Sequence, residues 1–368
     1  MAANILFLII YLNLLMTNSK IFSELILNWY KKNKRNLPWR KTKNPYKIWV
    51  SEIILQQTQI SQGEKYYLNF IRKFPDLESL SKSTESNVLK IWEGLGYYSR
   101  AINMLNNAKL LTKNKSPFPN NYNDLIKLKG VGEYTASAIS SICINERKAV
   151  LDGNVFRVMS RVFNVSKAIN RNSGKKTFQK ITSRLLPEKK IGDYNQALMD
   201  FGSMHCTIKN PKCSTCPIQN MCKSFKLKNI ELRPVKIKNK KRKKTRLLNY
   251  FIIIFEKKIY IQKRLKNDIW KSLYEPPLLE SEKKITKKLF QIKFSSFFRE
   301  LIIHEIQLLK RVSHKLSHQN IDINFWKVSV LKLKEKQKTN LLKISFRSIL
   351  DYPFPKPIVK YLNEYLNT

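Results

Sequence analysis

The stretch Leu128-Lys129-Gly130-Val131-Gly132-Glu133-Tyr134-Thr135-Ala136 sets two glycines on either side of one apolar residue and then opens a helical run. Glycine reaches backbone conformations that place N–H groups at the surface of a tight turn, and the helix that follows presents the positive end of its dipole at the same spot. Together they make a hairpin between two helices that can hold a phosphate. A contact of that kind grips a nucleic-acid backbone without reading bases.

The rest of the chain agrees with a polyanionic partner. Its 368 residues hold 70 Lys and Arg against 26 Asp and Glu, a formal net charge of +44. Such a field favours nucleic acid or an anionic surface. Heavy use of Lys, Ile, Asn and Leu beside only 9 glycines is also the mark of an AT-rich coding bias, so not all of that charge is function. Hydrophobic residues make up 43%, enough for a large core, which excludes a disordered chain.

Away from the hairpin the pattern is helical from Ser19 to about Cys222, with apolar residues three and four apart, as in Ile21, Leu25, Leu27 and Trp29. Short breaks carry Pro, Gly or Asn. Arg233–Arg246 then brings nine basic residues in fourteen and no acid, the composition of a tether. Beyond it Tyr250–Phe255 and Ile259–Lys263 flank Glu256-Lys257-Lys258 as a hairpin, and Ile321–Val330 alternates Ile321, Ile323 and Phe325 against Asp322, Asn324 and Trp326. A final helix is expected after Pro357. The fold is therefore mainly α, with a smaller α/β domain. The expected domains are 16–230, a basic linker at 231–246 and a mixed domain at 247–368. Residues 1–15 are too short an apolar run to span a bilayer and lack the basic start of a signal peptide. They are expected to be a loose extension or an upstream translation artefact. No membrane partner is expected, and the chain is taken as a cytoplasmic, DNA-associated monomer.

Two further groups carry chemistry. Asp152 follows the apolar run Ala149-Val150-Leu151 and precedes Gly153-Asn154-Val155, which suits an aspartate at a helix N-terminus as well as a reactive carboxylate. Cys206, Cys213, Cys216 and Cys222 fall within seventeen residues, at gaps of six, two and five. Cysteine-only ligation suits an iron–sulfur cluster or zinc, although the first gap is wide for a zinc knuckle. Cys143, in an apolar helical stretch, reads as a core residue.

These elements, in this order, resemble the endonuclease III superfamily of helix-hairpin-helix DNA glycosylases, and within it the MutY-type adenine glycosylases. The likeness runs from about Met16 to Cys222. It includes Asn36-Leu37-Pro38-Trp39-Arg40, Trp49-Val50-Ser51-Glu52-Ile53-Ile54-Leu55-Gln56-Gln57-Thr58-Gln59, Trp92-Glu93-Gly94-Leu95-Gly96-Tyr97-Tyr98-Ser99-Arg100 and Asn195-Gln196-Ala197-Leu198-Met199-Asp200-Phe201-Gly202. The resemblance implies a two-lobed helical domain, a 4Fe–4S cluster on the four cysteines, and duplex DNA carrying adenine opposite 8-oxoguanine or guanine as the substrate. It implies DNA-backbone contacts at Gly130, Val131 and Gly132.

Bifunctional members carry a lysine nucleophile two residues after the second hairpin glycine. This chain has Tyr134 there, and a phenol cannot form a Schiff base. Removal of the base without strand cleavage is therefore expected. The resemblance makes Glu52 the acid that protonates the leaving adenine, Asp152 the carboxylate that stabilises the sugar cation, and Asn154 and Tyr134 their supports. It places Arg35, Leu37, Trp39, Arg40 and Gln196 around the flipped adenine. Gln57 and Tyr97 are the expected intercalating residues, with Thr58 against the opposing base and Tyr98 in the core.

The C-terminal domain resembles the Nudix-like lesion-recognition domain of the same family, less closely. Trp270-Lys271-Ser272-Leu273-Tyr274-Glu275-Pro276-Pro277 replaces both glycines of the family's Trp-Gly-Gly-Leu-Tyr-Glu-Phe-Pro. Leu316-Ser317-His318 stands for its Phe-Ser-His loop, so Ser317 and His318 are the expected readers of 8-oxoguanine. No Nudix box of spaced glutamates is present, and no pyrophosphohydrolase activity is expected. The alternatives are a bifunctional pyrimidine glycosylase, opposed by Tyr134, and a catalytically silent DNA-binding module, opposed by the presence of both Glu52 and Asp152.

Overall fold

A computed structural model describes residues 19–237, 243–255, 258–281, 301–333 and 341–366. Residues 1–15 and the turn at Glu256 and Lys257, on which expectations were placed, lie outside this set. Two compact units result. One joins the described residues up to 81 with those from 107 to 237; the other joins 82–106 with those from 243 onward.

Among its described residues the first unit has helices joined by loops and no strand. Helix α1 (residues 19–33) buries Phe22, Ile26 and Tyr30, one residue every four. The stripe sits one residue away from the expected one: Ile21 is exposed, while Leu25, Leu27 and Trp29 flank the core. Helix α2 (Pro45–Leu55) starts where proline is tolerated, since the first turn has no intrahelical use for its N–H, and Asn44 caps it by accepting from Lys47 N. Six of its apolar residues are buried, so it runs through the interior with its two polar exceptions, Ser51 and Glu52. Helices α8 (Glu133–Ile144), α9 (Gly153–Val162) and α11 (Ile191–Met204) pack with α1 around Val155, Val158, Tyr194 and Phe201. Burying each such side chain contributes about 1.5–3 kcal/mol.

Among the described residues the second unit is built on a seven-stranded sheet of order β3 (Tyr274–Glu275), β2 (Lys258–Lys263), β1 (Lys244–Phe255), β6 (Gln319–Leu333) and β5 (Leu301–Lys315), with β4 (Leu278–Ser281) paired to β1 and β7 (Leu341–Ser345) to β2. Strand β1 (Lys244–Phe255) runs parallel to β6 (Gln319–Leu333) and antiparallel to β2 (Lys258–Lys263). Strand β5 (Leu301–Lys315) returns into β6 through a turn at Leu316-Ser317-His318, closed by Leu316 N donating to Gln319 O at 2.9 Å. The C-terminal helix, residues Lys356–Leu366, covers the face that carries Ile321, Ile323 and Phe325, and Tyr361 stacks on Phe325 at 3.8 Å. Trp326 lies on the opposite face, as the alternation predicts, and is buried there with Phe251, Ile253 and Val328, so the sheet is covered on both faces.

The basic run also differs from a plain tether. Its last residues from Lys244 are strand β1. Near its start, Val235 O accepts from Ile169 N at 3.0 Å, and Ile237 exchanges two hydrogen bonds with the Asn170 side chain. Among the described residues no helix is long and apolar enough to cross a membrane.

Candidate active site

A cavity of about 200 Å³ opens between α2, α8, α9 and α11 in the first unit. Arg35, Leu37, Trp39, Arg40, Glu52, Thr58, Tyr134, Asp152, Asn154 and Gln196, all expected from sequence, line it together.

Glu52 projects from the interior helix α2 and is 8% exposed. Burial pushes its carboxyl up to about 7; the Tyr134 hydroxyl and Arg40 pull it down, and Asp152 pushes it up. Desolvation disfavours the charged form and is the dominant cause. Glu52 is therefore about half protonated at neutral pH.

Tyr134 stands in the first turn of α8, brought to the cavity by the Gly130–Gly132 hairpin. Its hydroxyl donates to Met199 Sδ at 3.2 Å and is close enough to Glu52 to favour the charged form of that carboxyl. A phenol has one proton, and an ionised carboxylate is a stronger acceptor than a thioether.

Asp152 is the N-cap of α9 and a cavity residue at once. Its Oδ1 accepts from Val155 N at 2.7 Å, and its Oδ2 accepts from Asn154 Nδ2 at 2.8 Å. Burial raises its carboxyl above the usual range, opposed by these bonds and by the Arg157 charge. Asn154 is itself oriented: Arg157 Nη2 donates to its Oδ1 at 2.8 Å. Gly202 approaches so closely that a Cβ there would fall 2.7 Å from Asn154 Cβ.

Two arginines converge on Asp200, which is fully buried. Arg40 donates to both of its oxygens, at 2.7 and 2.9 Å, and Arg35 donates to Oδ1. Burial works against the Asp200 charge, but the arginines hold its carboxyl below the ordinary range. Asp200 belongs to the Asn195–Gly202 stretch, and its part in the cavity is not evident from the sequence. It lies four residues after Gln196, so both belong to one face of α11, and that spacing was the available signal. Arg157, three residues after Asn154, was missed in the same way.

Other expected residues lie elsewhere. Gln57 is exposed in a left-handed conformation (φ 58°) outside the cavity lining. In the hairpin, Gly130 adopts φ +85° and Val131 is buried, while Gly132 has ordinary extended backbone and faces open space. Neither strain nor packing calls for glycine at 132; a bulky approaching group would. Tyr97, Ser317 and His318 belong to the second unit. Tyr97 is 46% exposed at φ 48°, whereas Tyr98 is buried.

Cys206, Cys213, Cys216 and Cys222 line one separate cavity. No three metal-ligating side chains among the described residues form a group that could hold a single ion. A cubane assigns one iron to each cysteine, so it asks for a shared cavity and not for a shared point. Arg161 lines the same cavity and donates to Cys206 Sγ at 3.4 Å, to the carbonyls of Thr207 and Ile208, and to Ile230 and Arg233. Burial pushes the Cys216 thiol up to about 12 and raises those of Cys213 and Cys222. A bound cation would reverse that preference by binding the thiolate form. The donor set fits an iron–sulfur cluster. Cys143 is half-buried on α8, its thiol also pushed up to about 12 by burial.

The model of the HhH-GPD superfamily of base excision DNA repair proteins matches residues 50–187, and that of the NUDIX domain matches residues 249–364. The adenine DNA glycosylase of Buchnera aphidicola subsp. Schizaphis graminum is 34% identical over 347 residues, 93% of this chain and 98% of that one. The adenine DNA glycosylase of Homo sapiens is 35% identical over 213 residues, 55% of this chain and 39% of its own. Among solved structures, a thermostable thymine-DNA glycosylase is 30% identical, covers 57% of this chain and 98% of its own, and has a TM-score of 0.53. An endonuclease III–DNA complex, at 18% identity and TM-score 0.50, covers 58% of this chain and 97% of its own, and shares the fold. With a buried carboxyl, a second carboxylate and a tyrosine in one cavity, and with the Buchnera relative 34% identical and matched along 98% of its length, the chain belongs to the adenine DNA glycosylase family.

Proposed function

We propose that this chain removes adenine from duplex DNA where it is mispaired with 8-oxoguanine or guanine, hydrolysing the N-glycosidic bond and leaving the strand intact. The observation that carries this reading is Glu52, buried beside Tyr134 with its carboxyl raised to about 7.

Adenine leaves poorly as an anion. An acid protonated near neutrality supplies a proton to a ring nitrogen as the bond to C1′ breaks and its electron pair moves to the base. The sugar becomes an oxocarbenium-like cation. Asp152, held by Val155 N and Asn154, offers the negative charge that stabilises it. Water adds to C1′, and its proton passes to a carboxylate of the site. The logic is that of glycoside hydrolysis by two carboxylates. No amine occupies the position of Tyr134, so no Schiff base forms and the strand survives. Base and sugar must leave the duplex to enter the cavity. Tyr97 and Gln57 serve as the residues that fill the gap, Thr58 and the Ser317–His318 turn as readers of the opposing base, and Gly130–Gly132 as the backbone grip. The four cysteines hold a 4Fe–4S cluster, which supplies a structural cross-link to the loop that carries Lys209 and Lys212. The chain acts as a monomer in the cytoplasm.

The test is a duplex with one adenine opposite 8-oxoguanine. Cutting at that adenine only after alkali supports the reading. Cutting without alkali indicates a bifunctional enzyme, and binding with no cut indicates a silent module.

A further inference from the structure

Residues 82–106 carry the turn Gly94-Leu95-Gly96-Tyr97, in which Gly94, Gly96 and Tyr97 have φ of +88°, +78° and +48°. Three left-handed residues in four leave no helical ladder to set the geometry, so it must be imposed by neighbours. Trp92 Nε1 and Arg100 Nη2 both donate to Gly96 O, at 3.1 and 3.0 Å. Beyond these local bonds, the turn is fixed to the rest of its unit immediately upstream.

Glu93 supplies that fixing. Its side chain is 17% exposed. Its Oε1 accepts the backbone N–H of Phe354 at 2.9 Å, and its Oε2 accepts Lys90 Nζ at 3.0 Å. Lys90 Nζ donates in turn to Tyr352 O at 3.3 Å. The receiving segment is itself rigid. Pro353 O accepts from Tyr274 N at 2.8 Å, the Tyr352 and Tyr274 rings meet edge to face at 4.7 Å, and Phe354 is buried in the sheet's core. At the other end of the turn, the Tyr97 hydroxyl lies 3.1 Å from Ser317 Oγ, at the tip between β5 and β6, and Ser317 Oγ lies 3.4 Å from His318 Nδ1.

We propose that Glu93 is a positioning residue for recognition of the opposing base. By holding the Phe354 N–H it keeps the turn that bears Tyr97 at a fixed offset from the Ser317 turn, so that the residue filling the helix gap and the residue reading the orphaned base stay in register. The inference rests on the roles given to Tyr97 and Ser317 under the proposed function. Through its bonds to Lys90 and to the Phe354 N–H, Glu93 acts on the two proposed reading side chains by way of the backbone. A charge-assisted hydrogen bond to a backbone N–H has the strength for this, and its loss frees a segment instead of removing a reactive group.

The experiment compares single-turnover excision of adenine opposite 8-oxoguanine and opposite guanine by the full chain and by Glu93→Ala, Glu93→Gln and Glu93→Asp. Glu93→Ala is expected to lower the 8-oxoguanine-to-guanine rate ratio roughly fivefold, the scale of one hydrogen bond, with the guanine rate within twofold of wild type. Glu93→Gln keeps an oxygen for the Phe354 N–H and should restore most of the ratio. An unchanged ratio in Glu93→Ala, an equal fall on both duplexes, or a Glu93→Gln as impaired as Glu93→Ala would overturn the proposal. Should Glu93→Ala fail to fold, Glu93→Asp, one methylene short of Phe354, decides: a ratio lowered at least twofold supports the role and an unchanged one removes it. A wild type that treats both duplexes alike would sink the lesion-reading function itself, and the role of Glu93 with it. A wild type that discriminates beside a Glu93→Ala that does so equally well sinks only the latter.

Discussion

Arg157 joins the loop of Cys206 to the side chain that holds Asp152: its Nε donates to Cys206 O at 2.8 Å while its Nη2 donates to Asn154 Oδ1, also at 2.8 Å. The same guanidinium donates to Gly202 O. Replacing it by leucine leaves these acceptors unpaired in a buried place, where each lost bond to a charged group costs about 1.5–3 kcal/mol. Arg157→Leu should therefore lose at least tenfold in excision rate at saturating DNA and release iron to a chelator faster than wild type. Normal iron retention with normal rate would mean that the two sites are mechanically independent.

Glu52→Gln should abolish excision and leave binding to the lesion duplex nearly unchanged, because the amide keeps the shape and loses the proton. In wild type the rate should fall as pH rises through about 7, since only the protonated carboxyl is active. Single-turnover rates and gel-shift titrations across pH 5–9 check both.

Tyr134→Phe removes a hydroxyl that favours the charged form of Glu52. The descending limb of the pH profile should then move to higher pH. A limb moved to lower pH would mean that Tyr134 donates its proton elsewhere.

The raised carboxyl of Glu52 also bears on stability. Its folded value lies above the unfolded value, so the contribution is fully present below about 4.5 and is lost as pH rises through about 7. The difference amounts to roughly 3 kcal/mol. Glu52→Gln should match wild type near pH 4 and exceed it by up to that amount at pH 8, in urea unfolding monitored by circular dichroism. A gap that shrinks with rising pH would contradict the burial of this group.

Ser272 adopts φ 70°, a left-handed conformation that costs a residue with a Cβ about 1–2 kcal/mol. Ser272→Gly should raise the stability of the second unit by about 1 kcal/mol, seen as a higher melting temperature. Lys271, the other departure from the family's paired glycines, is not among the left-handed residues, and Lys271→Gly should not stabilise.

Sequence made the cavity legible because its residues come in tight motifs on few elements. Glu52 stands between Val50 and Ile53-Ile54-Leu55 on a helix, an apolar setting in which desolvation raises a carboxyl. The polar supports were harder. Asp200 and Arg157 act through residues far away in the chain, and only the packing of α9 against α11 reveals them. The alternation along β6 separated its two faces, but the burial of Trp326 depends on Phe251, Ile253 and Val328, which come from β1 and β6 together. The tether was misread because composition reports charge and not the two backbone bonds that Asn170 makes to Ile237.

The pairing of Arg35 and Arg40 with Asp200 has an electrical consequence. With Glu52 protonated, these two cations are balanced by Asp200 and Asp152, so the cavity is a neutral enclave inside a chain of net charge +44. The surface can draw in a polyanion from any direction without preferring an anion in the cavity. An uncharged heterocycle enters with no counter-charge to displace. Under the proposed mechanism, as Glu52 gives its proton to that base and positive charge grows on the sugar, the new carboxylate and Asp152 line the same cavity around it. The enclave polarises only as the bond breaks, which is when stabilisation lowers the barrier.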